Sequence, residues 1–171
     1  MDYIKKYASI IKQICSVHPE PGKKLVQKLM YLIERRGVDV GLNYKIHFFG
    51  PYSEKLDNAL HFLESDDVIE IDTGRGMTHV IKFCGTDEEI ADALTPAEQE
   101  QISFVLKNFG AKSPLELEAL TTLDYAANNL MKNDISDEKI VKQVKEIKGT
   151  KFTEEVLYKE LQILKKYDYL H

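Results

Sequence analysis

Apolar residues recur at helical spacing along most of this chain and alternate in one place only. Ile4, Tyr7, Ala8, Ile11 and Ile14 share one stripe, which predicts an amphipathic helix over 2–17, stopped by His18-Pro19. Leu25, Leu29, Leu32 and Ile33 predict a second helix over 23–36. Its end, Arg35-Arg36-Gly37, sets basic residues on the carbonyl end of the dipole before a capping glycine. Leu56, Ala59, Leu60 and Leu63 mark a third helix over 53–65, with Ser53 at the N-cap position. Tyr44–Phe49 reads as a short aromatic-rich extended piece, and Gly50-Pro51 as a sharp turn.

Alternation begins after Asp67. Ile69 and Ile71 interleave with Glu70 and Asp72, and Ile81 and Phe83 flank Lys82, with Thr73-Gly74-Arg75-Gly76 between. Glycines supply the positive φ of a tight turn, so 69–83 is expected to be a β-hairpin. Three helices followed by a hairpin follow the order of a winged helix-turn-helix, with 53–65 as recognition helix and Arg75 on the wing.

From Gly85 onward the pattern is helical. Thr95-Pro96-Ala97-Glu98 and Ser113-Pro114-Leu115-Glu116 each place a hydroxyl at the N-cap, proline next and glutamate at N3, so both read as capping boxes. Further helices are expected near 136–148 and 154–166. Leu157, Leu161, Leu164 and Asp168 echo Leu56, Leu60, Leu63 and Asp67, which suggests a second, wingless helix-turn-helix ending at His171. The expected fold is α+β and mostly helical: a winged-helix-like domain over 1–85 with one hairpin, then a helical domain over 86–171.

Charge changes where contacts are sought. The net charge is -5, from 23 Lys+Arg and 28 Asp+Glu. Residues 1–85 hold 12 basic and 11 acidic side chains and residues 86–171 hold 11 and 17, which directs any phosphate contact to the first half. No apolar run approaches the ~20 residues of a bilayer span, and the first twenty residues lack a signal peptide's apolar core. Cys15 and Cys84 are far apart and read as ordinary buried thiols. The expectation is a soluble, cytoplasmic chain without a membrane partner.

No sequence feature opens on catalysis. His18, His47, His61, His79 and His171 show no metal-ligand spacing, and no nucleophile elbow or phosphate loop occurs. No cofactor and no metal are expected. For DNA the candidates are Lys55, Asn58 and Arg75, yet the face of helix 53–65 opposite its leucines carries Glu54, Asp57, Asn58 and His61. Two carboxylates there oppose phosphate, and Asn58 alone suits base readout. Phe48, Phe49, Tyr52 and Phe62 crowd the turn region, either as core or as a protein-binding patch. Phe49, Tyr52, Phe62, Asn58 and His61 are therefore the candidate partner-binding residues.

The segment KLVQKLMYL at Lys24–Leu32, the turn Gly50–Ser53 (GPYS) and LELEALT at Leu115–Thr121 resemble the Panacea-domain family, which includes SocA-like antitoxin and adaptor proteins and YwgA-like proteins. The resemblance covers about residues 20–125. The family follows its LT segment with a histidine and a Pro-Trp pair, where this chain has Thr122-Leu123-Asp124-Tyr125 and no tryptophan. The resemblance implies a non-catalytic protein that binds another protein, as antitoxin or proteolytic adaptor. With the acidic helix face, it sets the expectation of a regulator acting by protein contact rather than an enzyme. The alternative is a DNA-binding transcriptional regulator, and pairing of two chains is left open.

Overall fold

The computed structural model describes residues 3–133 and 135–170; the expected end of the second helix-turn-helix at His171 lies outside them. Among the described residues there are eight helices and two separate two-stranded antiparallel sheets, so the fold is α+β and mostly helical. In order these are α1 (Tyr3–Val17), α2 (Lys23–Arg35), β1 (Lys45–His47), β2 (Gly50–Tyr52), α3 (Glu54–Ser65), β3 (Ile69–Arg75), β4 (Thr78–Phe83), α4 (Asp87–Ile90), α5 (Pro96–Phe109), α6 (Pro114–Tyr125), α7 (Asp137–Lys148) and α8 (Glu154–Lys166). None of the described helices is long and apolar enough to cross a membrane.

Helix α2 is the centre. Every residue from Leu25 to Ile33 is buried, because α1, α5, α6, β2 and β4 all pack on it. A helix covered on all sides must satisfy its polar side chains internally. Gln27 does so by exchanging two 2.9 Å bonds with the backbone N–H and C=O of Ser53, and the Lys28 ammonium donates to the Pro51 carbonyl at 2.9 Å. Each fully buried leucine such as Leu29 or Leu32 contributes about 2 kcal/mol of apolar burial.

Helix α3 buries the stripe expected of it, Leu56, Ala59, Leu60 and Leu63, and Ser53 caps it by accepting from the Leu56 N–H at 3.1 Å. It stops where Asp67 turns left-handed (φ 58°) and the Val68 N–H bonds the Leu63 carbonyl at 2.9 Å. Strands β3 and β4 pair with Ile69 opposite Phe83 and Ile71 opposite Ile81. The Ile81 N–H reaches the Pro21 carbonyl at 2.8 Å, tying the hairpin to the head of α2.

The turn expected at Gly50-Pro51 is two residues earlier. Phe48-Phe49 make the turn, and Gly50-Pro51-Tyr52 form β2 against β1, with His47 opposite Gly50. Gly50 carries the φ of +96° that this tight reversal requires, and α6 leaves no room there for a side chain.

Both capping boxes form, at Thr95/Glu98 and Ser113/Glu116. Helix α6 runs on into a π-helical turn, Ala126–Leu130, closed by the Met131 N–H on the Ala126 carbonyl at 3.1 Å. Helix α6 packs on α2 and α8, so one apolar cluster contains Leu29 and Leu60 together with Leu120, Val144 and Leu161. Burial raises the Cys15 thiol to about 11, whereas Cys84 is exposed, contrary to the expectation of two buried thiols.

Candidate functional site

The first two turns of α2, the β1–β2 turn, the β3–β4 tip and the α5–α6 junction surround an open cleft of about 1010 Å³. Gln27 clamps Ser53, Pro21 accepts from Ile81 on β4, and Gly22 bridges to Val80 on the same strand, which holds their backbones. Lysines and rings supply most of the chemistry of its walls.

His47 and Tyr52 stack with centroids 4.8 Å apart at 25°, a diagonal contact across β1 and β2. Phe48 and Phe49 meet edge to face at 4.9 Å. Lys24 places its ammonium 3.4 Å from the centre of the Phe49 ring. Lys24 and Lys28, one turn apart, share a face of α2. Lys28 is buried, which lowers its pKa to about 8; Lys148, Lys24 and Lys151 push the same way, and the Glu118 carboxylate opposes them.

Three carboxylates line the cleft, and two are committed elsewhere. Glu20 is held by both outer nitrogens of Arg75, one at 2.9 Å, which lowers its pKa. Glu116 is engaged in the α6 capping box with Lys112 at 3.6 Å, and its pKa is lowered chiefly by the Ser113 N–H. Asp57 lies 3.0 Å from the Lys23 ammonium and 3.6 Å from His61 Nε2. Burial raises the Tyr52 phenol, and the neighbouring Asp57 charge raises it further.

The residues singled out in the sequence separate into two groups. Phe49 and Tyr52 line the cleft, and His61 reaches its edge through Asp57 and, at 3.4 Å, Lys23. Phe62 and Asn58 are exposed on α3 and do not line it; Phe62 is 51% exposed. Lys55 points away, 5.9 Å from the Tyr3 ring centre. Arg75 is paired with Glu20 and with Asp72 at 3.2 Å, so its charge is balanced at the hairpin tip. Sequence reasoning missed Lys23, Lys24, Lys28, His47 and Asp57. The i,i+4 spacing of Lys24 and Lys28 was the one signal that marked a basic face on α2.

No protein-family model matches the chain. It is 25% identical over 111 residues to a Thermus aquaticus protein named DNA ADP-ribosyl glycohydrolase, an alignment covering 63% of this chain. The same alignment takes in 31% of that relative, so the chain matches less than a third of its length. This likeness to a protein named as an enzyme overturns the expectation of a non-catalytic regulator, and with it the transcriptional-regulator alternative.

Proposed function

We propose that this chain serves the removal of ADP-ribose from DNA, the activity in its relative's name, and that the cleft at the head of α2 holds the nucleotide part of the substrate. One observation carries the reading: the stacked His47/Tyr52 pair faces the same cleft as Lys23, Lys24 and Lys28. Rings that can stack on a base, beside cations that can meet phosphate, are the two requirements for binding a nucleotide without sequence readout. The volume is at the upper end of that of small-molecule sites.

Hydrolysis of the glycosidic bond adds water across it, the oxygen to the anomeric carbon and a proton to the released DNA atom. Asp57 is the cleft carboxylate left to take the water proton, since Glu20 and Glu116 are committed to Arg75 and the α6 cap. The Lys23 ammonium donates to Asp57 Oδ1 at 3.0 Å. The same reading keeps α1–α3 and the β3–β4 hairpin as a winged-helix arrangement within the Panacea-domain family. Element order, the close packing of α3 on β3, and the Lys24–Leu32 and Gly50–Ser53 motifs support it.

The test is release of ADP-ribose from an ADP-ribosylated oligonucleotide, followed by mass spectrometry. Release by the wild type, reduced about a hundredfold in Asp57→Asn and unchanged in Phe62→Ala, is the expected result. No release by the folded wild-type chain overturns the reading. Full activity in Asp57→Asn removes Asp57 from it.

A further inference from the structure

Four lysines, two on α2 and two at the end of α7 and just after it, gather around one buried carboxylate. Lys151 lies 2.8 Å from Glu118 Oε2 and bonds Oε1 at 2.9 Å, and Lys148 lies 3.3 Å from Oε2. Those approaches to Oε2 make ion pairs rather than directed hydrogen bonds. Lys24 and Lys28 approach from α2 and, with Glu118 and Lys151, line a recess of about 200 Å³. The recess shares Lys24, Lys28 and Phe49 with the larger cleft.

Charge does not balance here. Four ammoniums face one carboxylate, in a chain whose net charge is -5. Two of the four are withdrawn from water: Lys28 is 3% exposed and the Lys148 side chain 4%. Gathering like charges in a place of reduced solvent access is unfavourable, and a bound anion relieves it. The hydrogen-bond inventory points the same way. Each ammonium has three donors, yet Lys28 spends one on the Pro51 carbonyl and Lys148 one on the Phe48 carbonyl at 2.6 Å. Lys24 faces the Phe49 ring. A tetrahedral oxyanion supplies the acceptors that this set of donors lacks. The recess is too small for a whole nucleotide and suits one phosphate group.

We propose that Lys24, Lys28 and Lys151 form a phosphate site in the recess beside Phe49, with Glu118 holding the ammoniums in place and Lys148, paired to the same carboxylate, adding its charge. The site joins α2 to the segment after α7 through Lys151, so occupancy ties the two halves of the chain together. It does not depend on hydrolysis in the cleft. The phosphate is either free or carried by a nucleotide whose remainder lies in the adjoining cleft, and the probes below separate the two.

The experiment is calorimetric titration of the full chain at low salt with inorganic phosphate, pyrophosphate and ADP-ribose, with thermal denaturation in parallel and sodium chloride at matched ionic strength as control. Binding by at least one probe is expected, weakened about tenfold in Lys24→Gln and again in Lys151→Gln, with Lys107→Gln unchanged. Lys24 and Lys151 are the test positions because they are the less buried pair, and the melting curve of each variant reports its folding. Binding by ADP-ribose alone assigns the site to a nucleotide-borne phosphate; binding by phosphate or pyrophosphate with equal strength assigns it to the free anion. The proposal is overturned if no probe binds beyond the chloride control, or if folded Lys24→Gln and Lys151→Gln bind as the wild type does. ADP-ribose binding without release from DNA sinks the hydrolase reading and leaves this site standing.

Discussion

Arg35 and Asp124 form an ion pair at the far end of α2 from the cleft, Nε to Oδ2 2.7 Å, with the Asp124 side chain fully buried. The same carboxylate accepts from the Tyr31 hydroxyl at 2.6 Å and from Asn128 Nδ2 at 3.2 Å. Asn128 lies in the π-helical turn, so the widened turn brings a donor back onto Asp124. Arg35 also reaches the Tyr169 carbonyl at 3.3 Å, and the Tyr169 hydroxyl bonds the Leu32 carbonyl at 2.9 Å. One pair therefore joins α2, α6 and the segment that follows α8.

Asp124→Ala is expected to cost roughly 3–5 kcal/mol in urea unfolding, because it leaves the Tyr31 hydroxyl and the Arg35 guanidinium without their buried partner. Arg35→Met strands the carboxylate and costs about as much. The double variant should cost less than the two together, with a coupling of about 1–3 kcal/mol. Additive losses would mean that the pair does not act as a unit.

Lys28 gives the chain a pH dependence of known sign. Its folded pKa is lowered from 10.5 to about 8, first by burial. Below pH 8 both the folded and unfolded chains hold the proton, and the folded state bears the full cost of the buried charge. Between about 8 and 10.5 the unfolded chain binds more protons, so this contribution to stability rises with pH, by roughly 3 kcal/mol in all. Tyr7, raised to about 12 by burial, acts in the opposite sense above pH 10, but equally in wild type and variant. The wild type should therefore gain stability relative to Lys28→Met as pH rises from 8 to 10. A difference that stays constant would place the Lys28 pKa near its ordinary value.

Two caps with the same local chemistry should differ in worth. Ser53 is fully buried; it accepts from the Leu56 N–H and its hydroxyl also donates to the Leu42 carbonyl. Thr153 caps α8 by accepting from the Val156 N–H at 3.2 Å, and it is exposed. Thr153→Ala loses a cap that water partly replaces, about 1 kcal/mol. Ser53→Ala also strands a buried carbonyl, for about 2–3 kcal/mol in total. Equal losses in urea unfolding would show that the Leu42 contact adds nothing.

How far the sequence could be read follows the range of the interactions involved. The α3 stripe, the capping boxes and the existence of the β3–β4 hairpin depend on neighbours within a few residues, and periodicity and cap chemistry reveal them; the hairpin's turn, expected over Thr73–Gly76, falls at Gly76-Met77, with an irregularity between Asp72 and Arg75. The resemblance between the ends of α3 and α8 is also local: Asp67 and Asp168 both turn left-handed, and Val68 and Tyr169 bond back to Leu63 and Leu164 at 2.9 Å. The cleft and the lysine recess are assembled across the chain. Dividing charge between the halves points to the first, whereas Lys151 lines the recess from the second, where Lys148 pairs with the same Glu118. Glu118 was hidden in the apolar rhythm of Leu115–Thr121, and only its burial beneath the lysines marks it out.

Gly50 is where the β1–β2 turn meets α6, and its substitution tests whether that meeting shapes the cleft. At φ +96° an L side chain is strained, and a Cβ would stand 2.9 Å from Thr122 Oγ1. Gly50→Ala should cost about 2–4 kcal/mol, from backbone strain and from the clash together. Thr122 Oγ1 is buried without a hydrogen-bond partner among the described residues, so Thr122→Val removes a desolvated hydroxyl and should stabilise the chain by about 1 kcal/mol. Thr122→Val keeps a branch at the same position and should not rescue Gly50→Ala; Thr122→Ala should recover part of the loss by opening space. Because Phe48 and Phe49 are carried on this turn, Gly50→Ala should also weaken pyrophosphate binding by Lys24 and Lys28 in calorimetry. Wild-type affinity in a destabilised Gly50→Ala chain would show that the site is set by α2 alone.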